Sequence, residues 1–204
     1  MRTLFTIGHS NVPFETLRGL LTQHAIACVV DVRSVPFSRY CPQYNQKALA
    51  RALAEAGIAY RFEGERLGGR IKDPDCFLGK TVPEFKKGFL QRIDYATLVQ
   101  KSFFVTGLQT VCTLAETMRV VLMCSEENPD ACHRNLLLTR RLLELGHDVL
   151  HIRGDGRLEP GVLPKSTDHG SPSGLLGADG RDAASGTSTS CVEDNGPGEQ
   201  LRFL

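Results

Sequence analysis

Residues 121–134 read Val121-Leu-Met-Cys-Ser-Glu-Glu-Asn-Pro-Asp-Ala-Cys-His-Arg134, an apolar run that stops at a group of reactive side chains. The run from Arg119 to Met123 has the pattern of a buried strand, and Asn128-Pro129 before a leucine-rich segment predicts a helix start. The stretch is therefore predicted to be a strand-to-helix turn. Such turns lie at the carboxyl edge of open α/β sheets, where ligands bind, and the helix N-terminus beyond favours anions.

The same alternation of strand and helix runs through the preceding sequence and continues after it. Short apolar runs predict five strands, at residues 4–7, 26–32, 58–62, 119–124 and 148–152. Pro83 to about Met118 is predicted to be mainly helix, with a break near Lys101-Ser102, and Gly64 to Lys80 to be a functional loop. We expect a single α/β domain whose mainly parallel sheet of about five strands carries helices on both faces, a Rossmann-like three-layer arrangement.

Composition narrows the class of protein. The chain has 204 residues, 41% of them hydrophobic, but no apolar stretch approaches the length of a membrane span. The first residues lack the features of a signal peptide, so a cytoplasmic location and no membrane partner are expected. Seven cysteines, an odd number at irregular spacing, fit reduced thiols better than a disulfide framework.

Charge and composition divide the chain near residue 156. Residues 1–153 carry 20 basic and 15 acidic side chains, whereas residues 154–204 carry 4 and 8. A basic domain with an acidic tail permits a phosphate-bearing partner. We predict an α/β domain over residues 1–156 and a disordered tail over 157–204, because the tail is rich in Gly, Ser, Pro, Asp and Thr.

The tail ends in a short apolar peptide. Gln200, Leu201, Phe203 and Leu204 resemble the peptide that binds bacterial sliding clamps, a Gln-Leu pair followed by apolar residues. Contact with a sliding clamp is one interpretation. Chance, or a strand that docks back onto the domain, are the alternatives.

Candidate catalytic residues follow the predicted strands and are expected to converge at one edge of the sheet. They are Glu126, Cys132, Cys124, His133 and His9. Glu126 suits general acid or base catalysis, because a partly enclosed turn raises a carboxyl pKa. Cys132 lies beside His133 and Arg134, an environment that lowers a thiol pKa, although both cysteines also suit a core role.

A second set of residues is a candidate for binding substrate or phosphate. Its members are Arg33, Ser34, Arg39, Arg70, Arg134, Asp31 and Ser10. A guanidinium offers a fork of donors that matches phosphate or carboxylate, although surface charge and helix capping are the alternatives. Phe37, Tyr40 and Tyr44 would add stacking surfaces beside this charge, a combination that single-stranded nucleic acid uses.

No cofactor is predicted, and a metal ion is the alternative considered. The spacing of Cys124, Cys132 and His133 is unlike the closely paired cysteines of structural zinc sites. A metal site would therefore need His9 or another distant ligand.

Four motifs, in this order along the chain, resemble those of a known family. They are Gly8-His9-Ser10, Asp31-Val32-Arg33-Ser34-x-Pro36-x-Ser38-Arg39, Leu67-Gly68-Gly69, and Cys124-x-Glu126-x-x-Pro129-x-x-Cys132-His133-Arg134. From about Thr3 to Gly156 the chain resembles the domain of unknown function 488 family, uncharacterised α/β proteins of bacteria and archaea. The resemblance implies an α/β fold and assigns no roles to these residues.

Two functional hypotheses follow. In the first, the protein is a cytosolic enzyme acting on a nucleobase, nucleotide or nucleic acid: Arg33, Arg39 and Arg134 hold phosphate, Glu126 moves a proton, and Cys132 or Cys124 is the nucleophile. In the second, it is a non-catalytic module that binds a phosphate-bearing ligand or nucleic acid and is recruited through its C-terminal peptide.

Overall fold

Six strands form one sheet in the computed structural model, which describes residues 2–163. They are β1 (Thr3–Gly8), β2 (Cys28–Asp31), β3 (Ala59–Phe62), β4 (Val120–Cys124), β5 (Asp148–Ile152) and β6 (Leu158–Pro160). Their order across the sheet is β3-β2-β4-β1-β5-β6, with β1 to β5 parallel and β6 antiparallel to β5. The last strand, β6, has no counterpart in the predicted set and lies beyond residue 156.

Helices cover both faces of this sheet. Within the same residues they are α1 (Phe14–Gln23), α2 (Gln46–Glu55), α3 (Gly64–Leu67), α4 (Tyr95–Leu98), α5 (Ser102–Thr117) and α6 (Arg140–Glu144). Leu17 of α1 and Leu53 of α2 belong to one buried cluster, and Phe104 of α5 and Leu142 of α6 belong to the other. The expected fold class, a mainly parallel sheet between two helical layers, is confirmed.

The centre of the sheet is where the chain reverses direction. Every residue of β4 is buried, as expected for an apolar strand that has helices on both sides. The connection after β2 runs through α2 to β3 on one side, whereas the connection after β4 runs through α6 to β5 on the other side. The neighbouring carboxyl ends of β2 and β4 therefore form a topological switch point, where α/β folds bind ligands.

The prediction of helix over Pro83 to about Met118 is wrong in its first half. That segment contains only a 3₁₀ turn at Phe89–Arg92 and the short α4. Gly88 adopts a left-handed φ of 88°, which a continuous helix cannot contain, and the Asp94 carboxylate caps a new start by accepting from the Thr97 amide. The predicted break near Lys101-Ser102 is confirmed, because α5 begins at Ser102.

The helix predicted to begin at Asn128-Pro129 begins later. The Asn128 side chain accepts a hydrogen bond from the Asp130 amide at 3.0 Å, which favours a turn over a helix. Helical structure starts with a π-helical run, Arg134–Thr139, that continues into α6. Residues 125–133 are therefore a loop, here named the β4 loop, and π-helical segments are frequent at functional sites.

The predictions about the tail fall largely outside the described residues. Residues 164–204 include the apolar peptide formed by Gln200, Leu201, Phe203 and Leu204, so a sliding-clamp contact stays a prediction. Between residues 2 and 163, none of the helices has the length and apolar character that crossing a membrane requires.

His151 on β5 should make the stability of the fold depend on pH. It is buried, and its Nδ1 lies 2.6 Å from the Thr6 hydroxyl on β1. Burial, with the nearby charge of Arg134, lowers the pKa of His151 from 6.5 to about 4. Because the folded state favours the neutral imidazole, its stabilisation is complete above pH 6.5 and is lost as the pH falls towards 4.

We expect this one group to lower the free energy of unfolding by about 2 kcal/mol between pH 7 and pH 4.5. Urea unfolding at both pH values measures the loss, and His151→Gln should reduce it by about that amount. An equal loss in the parent protein and the variant would contradict the assignment.

Candidate functional site

Two thiols and an imidazole meet where β4 ends. Cys124 is the last residue of β4, and Cys132 and His133 close the β4 loop. The His133 Nδ1 lies 3.5 Å from the Cys124 Sγ and 3.8 Å from the Cys132 Sγ, and all three side chains are buried. The opposite ring nitrogen, Nε2, lies 3.0 Å from the carbonyl oxygen of Val32. These three residues are named the thiol–imidazole cluster.

The two thiols of the cluster differ in acidity. The pKa of Cys124 lies below its ordinary value, chiefly because the Cys132 thiol donates a hydrogen bond to it, although burial opposes the shift. The same hydrogen bond and burial raise the pKa of Cys132. The surroundings of Cys132 therefore raise its pKa, contrary to the expectation from the sequence.

The cluster forms the floor of a cavity of about 360 Å³, here named the edge cavity. Its lining includes Arg33, Ser34, Arg70, Glu126, Cys132 and His133. The cavity opens at the carboxyl edge of the sheet, beside the ends of β2 and β4. Its volume lies in the range of small-molecule sites.

The Leu67-Gly68-Gly69 motif brings its backbone close to this floor. A Cβ on Gly69 would lie 2.9 Å from the His133 Cβ, and a Cβ on Gly68 would collide with the Ser34 hydroxyl. That hydroxyl accepts a hydrogen bond from the Arg70 amide at 2.9 Å. Glycine is required here because only its backbone can approach the cluster and the end of β2 so closely.

A buried ion pair supports the wall beside β2. The Arg33 Nε donates to the Asp31 Oδ1 at 2.9 Å, and the Arg33 Nη2 donates to the Asp31 Oδ2 at 2.6 Å. The Tyr60 hydroxyl donates to the same carboxylate at 2.9 Å, and the Tyr44 carbonyl accepts from Arg33 at 2.8 Å. Although Arg33 touches the cavity, most of its donors are occupied within the protein.

His9 is buried behind this wall. Its Nε2 accepts from the Arg33 Nη1 at 3.0 Å, and its Nδ1 lies 2.5 Å from the Ser10 carbonyl oxygen. The ring stacks on Tyr44 with centroids 3.9 Å apart. Burial, together with the charge of Arg33, lowers the pKa of His9 to about 4, so the ring is neutral and positions Arg33.

Arg134 is fully buried and holds the β4 loop in place. Its guanidinium donates to the carbonyl oxygens of Glu126 and Glu127. A Cβ on Gly8 would collide with the Glu126 carbonyl and with this guanidinium, so the loop lies directly on the end of β1. Arg134 therefore fixes the loop from within the protein and does not line the edge cavity.

The two adjacent carboxylates of the loop have different surroundings. Glu127 forms a two-point ion pair with Arg153, with both N···O distances 2.9 Å, and this contact lowers the pKa of Glu127 to about 2. The exposed Glu126 lines the edge cavity. Glu126 is therefore the carboxylate of the pair that a ligand in the cavity can reach.

Exposed aromatic rings lie in the segment after Ser34. Tyr40 is 93% exposed and Phe37 is 65% exposed, with the exposed Arg39 between them. Tyr44 differs, because it is fully buried between His9 and the core. The expectation that Tyr44 offers a stacking surface is therefore wrong.

The four sequence motifs thus meet at one edge of the sheet. A family model described as Domain of unknown function DUF488 matches residues 14–140. The chain belongs to this family. No curated protein and no solved structure matches the chain.

The predicted site residues separate into three groups in this structure. The edge cavity brings together Arg33, Ser34, Arg70, Cys124, Glu126, Cys132 and His133. Asp31, His9 and Arg134 are buried behind it, whereas Ser10, with a left-handed φ of 49°, and the exposed Arg39 lie outside its lining. Nothing in the sequence indicated that Tyr60 would contribute to the site. The sequence placed Gly69 in a motif but did not indicate its close contact with His133.

Removal of the Asp31 carboxylate should destabilise the protein strongly. Asp31→Asn leaves the buried Arg33 without its ion-pair partner, and breaking one side of a buried pair costs about 3–5 kcal/mol. Glu15→Gln breaks the exposed pair with Arg18 and should cost less than about 1 kcal/mol. Chemical denaturation of both variants measures the difference, and equal losses would show that the buried pair contributes no more than a surface one.

Proposed function

We propose that the protein is an enzyme that acts on a nucleobase, in a nucleotide or in a nucleic acid, within the edge cavity. The observation that carries this proposal is the convergence of Cys124, Cys132 and His133 on the floor of a ligand-sized cavity with Glu126 on its wall. These reactive groups, all from residues 124–133, share one concave space with Arg33 and Arg70 from two other segments of the chain. Structural roles alone do not require that arrangement.

The roles of the cavity residues follow from their surroundings. Glu126 is exposed at the cavity wall and is proposed to move a proton to or from the bound base. The thiol–imidazole cluster is proposed to supply the reacting group. Ser34 and Asn128, which also line the cavity, offer hydrogen-bonding groups that a flat heterocycle with ring nitrogens and carbonyl oxygens can use.

A second, larger groove supports a phosphate-bearing substrate. This groove of about 650 Å³ shares Ser34, Val35 and Arg70 with the edge cavity and is also lined by Lys72. The Arg70 guanidinium lies 5.9 Å from the centre of the Phe85 ring. Across residues 2–163, neither Arg70 nor Lys72 has a carboxylate partner, and Asp73 pairs with Lys101 at 2.8 Å.

The ion pairs and hydrogen bonds within the protein change which arginines are proposed to hold phosphate. Arg33 is paired with Asp31, and Arg134 binds loop carbonyls, so the positive charge left for a ligand is that of Arg70, Lys72 and Arg39. Phe37 and Tyr40 flank Arg39 and are exposed enough to stack on bases. Exposed aromatic rings beside unpaired positive charge are the combination that binds single strands.

The non-catalytic module remains the second candidate, because the exposed aromatic rings and the basic groove need no chemistry in order to bind. The two candidates differ at Glu126. In an enzyme this carboxylate is needed for turnover, whereas a binding module loses little when a neutral amide replaces it.

Glu126→Gln should lower the rate of turnover strongly and leave binding almost unchanged. Loss of a general acid or base lowers the rate by about 100-fold to 10,000-fold. The assay incubates the protein with nucleosides, nucleoside monophosphates and short single-stranded DNA and RNA, and detects products by mass spectrometry. Glu55→Gln, on the exposed surface of α2, is the matched control. Full activity of Glu126→Gln, or the absence of any product with the parent protein, would contradict the proposal.

Tyr40→Ala and Arg70→Gln should each weaken the binding of a fluorescein-labelled single-stranded 12-mer. Loss of one stacked base costs about 1–3 kcal/mol, which corresponds to about 5-fold to 150-fold in affinity. Arg70→Gln should also reduce the salt dependence of binding by about 0.7 of a counterion. Anisotropy titrations at two salt concentrations measure both effects.

Arg51→Gln is the control for charge, because Arg51 lies exposed on α2, away from the cavity. Binding that is lost equally in Arg51→Gln and Arg70→Gln would show a diffuse electrostatic attraction instead of a site at the groove.

A further inference from the structure

We infer that Cys124, Cys132 and His133 bind a zinc ion, with the fourth coordination position open to the edge cavity. The ligand atoms of the three residues lie within 4.8 Å of one another. Zn–S bonds of about 2.3 Å and a Zn–N bond of about 2.0 Å, at a tetrahedral angle, place sulfur and nitrogen about 3.5 Å apart. The two Sγ···Nδ1 distances are 3.5 Å and 3.8 Å, so the first matches this value and the second is slightly longer.

The hydrogen bond on the far side of His133 prepares the ring for a metal. Its Nε2 lies 3.0 Å from the Val32 carbonyl, which can only accept, so the proton of the neutral ring resides on Nε2. The Nδ1 lone pair then points at the two sulfurs. Histidines that bind metals commonly donate their other N–H to such an oxygen, which fixes the tautomer and the orientation of the ring.

Rigid neighbours hold the three ligands in position. Cys124 ends a strand that is buried along its whole length, and Gly69 packs so closely on His133 that a Cβ there would lie 2.9 Å from the His133 Cβ. Arg134, the next residue, binds the carbonyls of the β4 loop that carries Cys132. A metal therefore meets a site that is already formed, and little ordering of the chain opposes binding.

The set of donors favours zinc and leaves one position open. Thiolate and imidazole ligands select zinc over magnesium or calcium, which prefer oxygen. Among the described residues, no fourth His, Cys, Asp or Glu belongs to the group. His9, which the sequence suggested as a distant ligand, is engaged by Arg33 and the Ser10 carbonyl.

Three protein ligands with an open position are typical of catalytic zinc, whereas structural sites usually have four. The fourth position is on the side of the edge cavity, where it can take a water molecule or a nitrogen or oxygen atom of the substrate. Binding of Zn²⁺ by the two thiols releases their two protons to solvent, which balances the charge of the step. The catalytic role of the open position rests on the proposed function, but zinc binding does not.

The test measures metal directly in the full chain. Protein purified without chelator should contain close to one zinc per chain by elemental analysis. After removal by chelator and addition of Co²⁺, the protein should show the visible bands of tetrahedral cobalt and a thiolate-to-cobalt charge-transfer band, and Zn²⁺ should displace both. A parent protein that takes up neither ion would overturn the inference, and this result does not depend on any variant folding.

Variants identify the ligands. Cys132→Ser and His133→Gln should lower the affinity for Zn²⁺ by more than about 100-fold, because even partners outside the coordination shell contribute about 10-fold to 100-fold. Cys112→Ser is the matched control: Cys112 Sγ also lies 3.5 Å from a histidine nitrogen, His147 Nε2, but belongs to no such three-residue group in the described chain. Zinc binding that survives in both ligand variants would overturn the inference.

The outcomes separate the two proposals. Loss of turnover in Glu126→Gln without any metal in the parent protein would retain the enzyme and reject the zinc site. One zinc per chain in a protein that yields no product would reject the enzyme and retain the zinc site.

Discussion

The buried guanidinium of Arg134 is the contact on which the shape of the site depends. Arg134 begins the π-helical run and donates to the carbonyls of Glu126 and Glu127, while Gly8 leaves room for that loop on the end of β1. A buried charge is tolerated only when hydrogen bonds replace its lost hydration. Folding of the β4 loop and its docking on β1 are therefore coupled, and the coupling turns Glu126 towards the cavity and His133 towards Cys124.

A second buried charge organises the neighbouring wall in the same way. The Asp31 carboxylate accepts from Arg33 and from the Tyr60 hydroxyl, and Arg33 in turn donates to His9. Burial of an isolated carboxylate or guanidinium would cost several kcal/mol, so each member requires the others. These hydrogen bonds fix the geometry at the ends of β1 and β2, so the wall of the edge cavity on that side is rigid.

The sequence predicts the layers of this fold better than its polar contacts. Uninterrupted apolar runs identify β2 and β4, because a strand covered on both faces needs no polar side chain. Parallel strands then place their following residues at one edge, which is why convergence near Cys124 could be expected. The three-residue edge strand β6 is too short to show a periodic pattern. The segment before α5 has a helix-like apolar pattern, but Gly88 adopts a left-handed conformation there that a helix cannot contain. Arg134 donates to carbonyl oxygens of the loop, and the positions of those backbone atoms cannot be predicted from a pattern of side chains.

Some charged side chains of the site are already paired within the protein and others are free within the described residues, and this difference determines which of them can act on a ligand. A guanidinium whose donors are already used, such as that of Arg33, cannot exchange those partners for phosphate without leaving a buried carboxylate unpaired. Arg70 and Glu126 have no such ion-pair partner among the described residues, and they line the groove and cavity that a substrate would enter. The thiol–imidazole cluster is the opposite case, because it is buried yet carries donor atoms that only partly satisfy one another. A soft metal ion would bind all three donor atoms at once. Its open coordination position would then be accessible to a ligand in the edge cavity.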